Sequence, residues 1–198
     1  MGDLSESERW KCLDSVKVFE AKDDHTVYME VFQDRVLTGT GKVINYARYY
    51  SSDVVLVVPF LDDGRMVMIR QYRYPLDKLM LEFPAGHIEN GEDPRATAMR
   101  ELQEETGYRA GKMELVYQYH PSVSKSKQVV YVFRASELAP GKASLDGTES
   151  ISVELMPVQH LRELIMQNKV ENAGTLISFL LCCTGLAMTE QRNSESAL

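Results

Sequence analysis

Cysteine is scarce in this chain of 198 residues: only Cys12, Cys182 and Cys183 occur. Three thiols make no disulfide framework, and their spacing fits no zinc motif. The fold must therefore rest on its core, and the natural setting is a reducing, cytoplasmic one. Positive charge is also short. Lys and Arg number 22 against 29 Asp and Glu, a net charge of −7. That excludes a nucleic-acid partner held by a broad basic surface. No apolar run is long. The strongest, "TLISFLLCCTGLAM" (175–188), is too short to cross a bilayer and reads as a buried helix. The polar opening "MGDLSESERW" has no secretory core, and Glu6 stands where a myristoylation pattern needs Ser or Thr. A membrane partner is not expected, and no internal repeat is visible. What remains is 44% hydrophobic and 26% charged, enough for one globular domain with a terminal extension.

Hydrophobic patterning predicts a strand-rich chain with few helices. Residues 15–50 mix β-prone runs with turn residues and read as two or three strands. "DVVLVVPF" (53–60) is a continuous apolar run and reads as a buried strand. "DDG" (62–64) turns the chain, and "RMVMIRQYRY" (65–74) is expected to pair back on it as a hairpin. "LMLEF" (79–83) is a strand stopped by Pro84. "MELVYQY" (113–119) and "QVVYVFRA" (128–135) are strands flanking the loop "HPSVSKSK", and "SISVELM" (150–156) is another. Pro157 fits the first position of a helix over 157–168. A last helix covers 173–188, and the tail 189–198 is polar. This alternation predicts a mixed α/β (α+β) sandwich.

One helix has an internal cost. It starts well, with Asp93 as cap and Pro94 in the first turn, and Gly107 can end it in a left-handed conformation. Ala98 and Leu102 lie one turn apart on a core face. Glu101 and Glu105, however, are like charges at i,i+4, costing about 0.2–0.5 kcal/mol. Glu104 and Glu105 face the negative end of the helix dipole, about 0.3–1 kcal/mol each. Arg100, at i,i+4 to Glu104, offsets only part. A solvated acidic face would explain three glutamates in isolation. A hard cation explains them better, because Mg²⁺ binds a few carboxylates and keeps water and phosphate oxygens as its other ligands.

The spacing is Gly86, five residues, Glu92, seven residues, Arg100-Glu101-Leu102, one residue, Glu104-Glu105, one residue, Gly107, Tyr108. This segment resembles the Nudix box, with Tyr108 where an aliphatic residue is more usual. The resemblance implies a mixed β-sheet sandwiched between helices, with the box as loop–helix–loop. It also implies Mg²⁺-dependent hydrolysis, with Mn²⁺ a possible substitute, of a nucleoside diphosphate linked to another group. In that reading Glu101 and Glu105 are metal ligands, Glu104 a direct or water-mediated one, and the Ala85 carbonyl a further one. Arg100 orients the glutamates and serves the catalytic site with Glu104. Glu92 braces the loop, while Gly86 and Gly107 supply backbone geometry. Residues 51–188 would form the Nudix hydrolase domain. Residues 1–50 would form a β-rich extension making homodimer contacts, and 189–198 a flexible tail.

The flanks bear on the substrate. Gln71-Tyr72-Arg73 and Glu82-Phe83-Pro84-Ala85-Gly86 resemble the branch that hydrolyses ADP-ribose and other nucleotide sugars. That resemblance assigns Arg73 to substrate phosphate and Glu82 to the substrate or metal site. Strand alternation sends Arg70 to the opposite face. The segment 145–181 resembles the branch's last loop, strand and helices, with Glu149 as the residue that activates water and Asp146 second. Pro121 lies slightly short of the spacing usual in ADP-ribose hydrolases. The leading reaction is ADP-ribose to AMP and ribose 5-phosphate. The rivals are a GDP-mannose or broad nucleotide-sugar hydrolase, and a Nudix module that senses a nucleotide without cleaving it.

Overall fold

The computed structural model describes residues 8–22, 27–145 and 150–184. The chain divides into two compact units: Met1–Asp53 with His120–Val129, and Val54–Tyr119 with Val130–Leu198.

In the first unit three long strands form an antiparallel meander: β1 (Lys11–Lys22), β2 (Val27–Leu37) and β3 (Val43–Ser51), in the order β1-β2-β3. Gly41, at φ +80°, turns β2 into β3, where a side chain would be strained. The sheet's buried polar group is Asp34. It accepts from Ser15 Oγ (2.6 Å) and from Arg48 Nε (2.6 Å), and the Arg48 guanidinium lies 4.2 Å from the centroid of Phe32. The Ser/Lys loop is tied to this sheet: Tyr49 N donates to Lys125 O, and Lys125 Nζ sits over the Tyr46 ring.

The second unit contains β4 (Val54–Pro59), β5 (Arg65–Arg73), β6 (Lys78–Glu82), β7 (Ala85–His87), α1 (Pro94–Thr106), β8 (Tyr108–Tyr119), β9 (Val130–Pro140), β10 (Ile151–Pro157), α2 (Val158–Met166) and α3 (Ala173–Cys183). One sheet runs β7-β4-β9-β8, with β4 and β9 parallel and the other pairs antiparallel. The other runs β10-β5-β6. β4 explains its own apolar run. Val55 and Val57 pack with Ala98 and Leu102 of α1. Leu56 and Val58 pack on the opposite face with Met66 and Met68 of β5, Leu161 of α2 and Phe179 of α3. Burial on both faces leaves no position for a polar residue. The expected mixed α+β sandwich of sheet between helices is present.

Three local expectations are corrected. β5 does not form a hairpin with β4; a single bridge, Phe60 to Met66, joins them before β5 takes β6 and β10 as partners. Both edges of β4 are already filled, by β7 and β9. Pro157 is the residue before α2 rather than its first residue, with extended backbone, because it still pairs with Arg65 at the end of β10. The short β7 is an element the sequence did not reveal. Among the described residues no helix is long and apolar enough to cross a membrane. Cys182 and Cys183 are free thiols that burial pushes up to about 12 and about 11.

Candidate active site

The helix α1 is positioned by its ends. Asp93 Oδ1 accepts from the backbone N–H of Arg95 (2.9 Å) and Ala96 (3.2 Å), and Pro94 opens the first turn. At the other end Gly107, at φ +77°, donates its N–H to Gln103 O at 2.8 Å. Ala98 and Leu102 are fully buried. That anchors one face and fixes where the glutamates point.

Glu105 turns inward. It is 3% exposed, and its carboxylate accepts the Ala85 N–H at 3.0 Å, joining α1 to β7. Glu101 packs against Gly86 so closely that an added Cβ there would lie 2.0 Å from its carboxylate carbon. Gly86 is thus needed for space; its φ is not in the left-handed region. Arg100 gathers the rest. Its Nη1 donates to Glu101 (2.8 Å) and Glu104 (3.0 Å). Nε and Nη2 grip both oxygens of Glu92 (3.1 and 3.0 Å), and Nη2 also reaches His87 O at 3.4 Å. This bidentate hold on Glu92 keeps its carboxyl below the usual carboxylate range and raises the Arg100 guanidinium above its own. The like-charge crowding of α1 is therefore relieved by one arginine, with the loop residue Glu92 steadying that arginine.

A second ion pair stands on β5 and β6. Arg73 donates from Nη2 to Glu82 at 2.6 Å and from Nε at 3.2 Å, and Glu82 is 4% exposed. The sequence had placed each residue near the substrate separately. The register of β5 on β6 joins them, placing Ile69, Gln71 and Arg73 on one face with Lys78, Met80 and Glu82. The Gln71 side-chain oxygen on that face is buried with no hydrogen-bond partner among the described residues. His87 is drawn below its ordinary value, first by desolvation and then by the charge of Arg73, so Arg73 is felt at β7. Glu149 and Asp146 lie outside the described residues. Their flanks do not: Ser144 N donates to Glu104 O at 3.0 Å, and Ile151 pairs with Gln71 of β5.

Glu101, Glu104, Glu105 and the Ala85 carbonyl, the ligands the resemblance implies, offer oxygen donors only, the kind a hard divalent cation such as Mg²⁺ or Mn²⁺ takes. Among the described residues no three His, Cys, Asp or Glu side chains form a ready metal cage. Instead Glu101 and Glu104 converge on one Arg100 nitrogen.

A profile of the NUDIX domain matches residues 51–176. The chain belongs to the Nudix family. Over 123 residues this Nudix protein is 37% identical to the ADP-ribose pyrophosphatase of Bacillus subtilis (strain 168), covering 61% of this chain and 66% of that one. It is 33% identical over 126 residues to the methanol dehydrogenase activator of Bacillus methanolicus, covering 63% and 68%. The chain thus spans about two thirds of the length of these relatives. A crystal structure of an ADP compounds hydrolase superposes with a TM-score of 0.78 at 20% identity, covering 100% of both chains; it carries the Nudix fold alone. The similarities run to the ADP-ribose pyrophosphatase branch, as the segments before the box imply. Nudix hydrolases act with divalent metal ions, and the oxygen donors on α1 are of the kind such ions require.

Proposed function

We propose that this protein hydrolyses the diphosphate bond of a nucleoside diphosphate sugar, with ADP-ribose the preferred substrate and AMP and ribose 5-phosphate the products. One observation carries the reading. A single arginine collects Glu92, Glu101 and Glu104 beside the buried Glu105. The grouping stabilises the fold little but sets carboxylates where a cation can meet them.

Glu101, Glu104, Glu105 and the Ala85 carbonyl would hold Mg²⁺, which when bound supplies charge neutralisation for the diphosphate oxygens and the leaving phosphate. Arg100 orients the carboxylates. Arg73, whose two donors now meet Glu82, offers a guanidinium fork to substrate phosphate. Water forms a bond to one phosphorus as the bridging P–O bond breaks, and its proton passes to a base. Glu149 is our candidate for that base, with Asp146 the alternative. The flanks of their loop support it, because Ser144 is tied to Glu104 and Ile151 to the strand of Arg73. The glutamates of α1 would meanwhile be committed to the cation.

We also infer a homodimer. Trp10, Val16, Val18 and Phe19, on and beside β1, are each more than half exposed, an apolar display that a second copy would cover. A cytoplasmic setting suits the three free thiols. The deciding experiment incubates the protein with Mg²⁺ and a panel of ADP-ribose, GDP-mannose, NADH, diadenosine polyphosphates and deoxynucleoside triphosphates. AMP and ribose 5-phosphate from ADP-ribose, at the highest kcat/KM of the panel, is the expected result. Binding without turnover on every member would make the protein a sensor and refute the proposal.

A further inference from the structure

A cavity of about 230 Å³ opens between β5, β6 and the end of α2. Three cations line it, Arg70, Lys78 and Lys169, with one carboxylate, Glu171; Leu81 and Leu164 are among its apolar walls. It stands apart from the Nudix box. Arg70 pairs with Leu81 across β5 and β6, so these two share a face; Lys78, at the start of β6, reaches the cavity through its bond to Glu171, and neither Arg73 nor Glu82 lines it.

Its charges do not cancel. Arg70 gives Nε to Glu154 at 2.6 Å, and Lys78 Nζ meets both oxygens of Glu171 at 2.9 and 3.0 Å. Lys169 has no ion-pair partner among the described residues. Two carboxylates thus face three cations. Arg70 spends only one of its donor nitrogens on Glu154, and its remaining donors make no hydrogen bond among the described residues. An unbalanced positive charge above an apolar wall recognises an anion that carries a hydrophobic body. Donors arriving from a guanidinium and from ammonium groups on separate elements suit the several oxygens of a phosphate better than the two of a carboxylate.

We propose that this cavity is a binding site for a small phosphate monoester, its phosphate held by Arg70 and Lys169 and a compact apolar body lying against Leu81 and Leu164. The inference does not rest on the proposed hydrolase activity, and its test needs no turnover. The full chain is titrated calorimetrically in EDTA, which removes metal-dependent binding at the box, with phenyl phosphate, inorganic phosphate and benzoate as probes. One saturable site is expected for phenyl phosphate, about tenfold tighter than for inorganic phosphate because the ring leaves water. Lys169→Glu, at an exposed position that tolerates change, weakens it about tenfold or more, and Arg70→Gln does so separately. Arg73→Ala, at a residue that does not line the cavity, leaves it unchanged. The proposal is overturned by no saturable binding up to about 10 mM, by unchanged affinity in Lys169→Glu, or by loss in Arg73→Ala. Benzoate binding as tightly as phenyl phosphate would overturn the phosphate assignment.

Discussion

Replacing Gly86 by alanine adds one methyl group at the most crowded point of the box. The new Cβ would stand 2.0 Å from Glu101 Cδ and Oε1 and 2.5 Å from Oε2. The atoms it meets end a flexible side chain, so the backbone can stay and Glu101 must swing away. That movement breaks the 2.8 Å bond from Arg100. Holding Glu101 off a preferred rotamer costs about 0.5–1.5 kcal/mol, and losing a partly exposed ion pair about 0–1 kcal/mol. For a protein of this size the melting temperature should fall by only about 1–10 °C. Turnover should fall far more, by ~10²-fold or greater, because a displaced Glu101 no longer offers its oxygens to the cation. Thermal unfolding and an Mg²⁺ titration of kcat separate these effects. Two companions bracket the result. Gly91→Ala has open space but a φ of +80°, so it should cost about 1 kcal/mol of stability with turnover unchanged. Glu105→Gln keeps shape and an acceptor for the Ala85 N–H, so apo stability should hold while turnover drops ~10²-fold or more. A Gly86→Ala enzyme with wild-type turnover and metal dependence would refute the assignment of Glu101 as a ligand.

Arg73→Ala should raise KM by roughly tenfold or more and also lower the melting temperature, because it leaves the buried Glu82 without its partner; adding Glu82→Gln should restore the melting temperature but not KM. Glu149→Gln should lower turnover by ~10²–10⁴ with substrate binding largely intact, while Asp146→Asn does much less; full activity in both variants would leave the loop without a base. Asp34 is held below its ordinary carboxylate value, first by the Ser15 hydroxyl and then by Arg48. Its contribution to the three-stranded sheet is therefore complete above the unfolded value near 4 and lost as pH falls through the lower folded value. Asp34→Asn should flatten that acid-side loss in equilibrium unfolding measured from about pH 5 to pH 2; an unchanged profile would show that the Ser15–Asp34–Arg48 cluster contributes nothing.

Local chemistry made α1 legible without coordinates. Asp93, Pro94 and Gly107 act through their own backbone neighbours, and Ala98 and Leu102 repeat at the helical period, so the helix begins and ends where its residues dictate. The box was legible because three glutamates and an arginine on one helix share a side whatever the helix packs against. The burial of β4 showed in its unbroken apolar run, while only packing showed that both its faces are covered. Strand partners did not show, because pairing is a contest among distant segments. Residues 62–64 promise a hairpin, yet β5 leaves β4 for β6 and β10 because β7 and β9 already fill both edges of β4. The three residues of β7 are too few for any periodicity. They become a strand only because β4 and the carboxylate of Glu105 supply partners for their backbone. The division of labour among the charges was likewise decided in three dimensions. Which carboxylate Arg100 grips twice, which glutamate is buried, and why Gly86 can be nothing larger all depend on a loop folding back over a helix. That approach is set by packing between residues far apart in the chain.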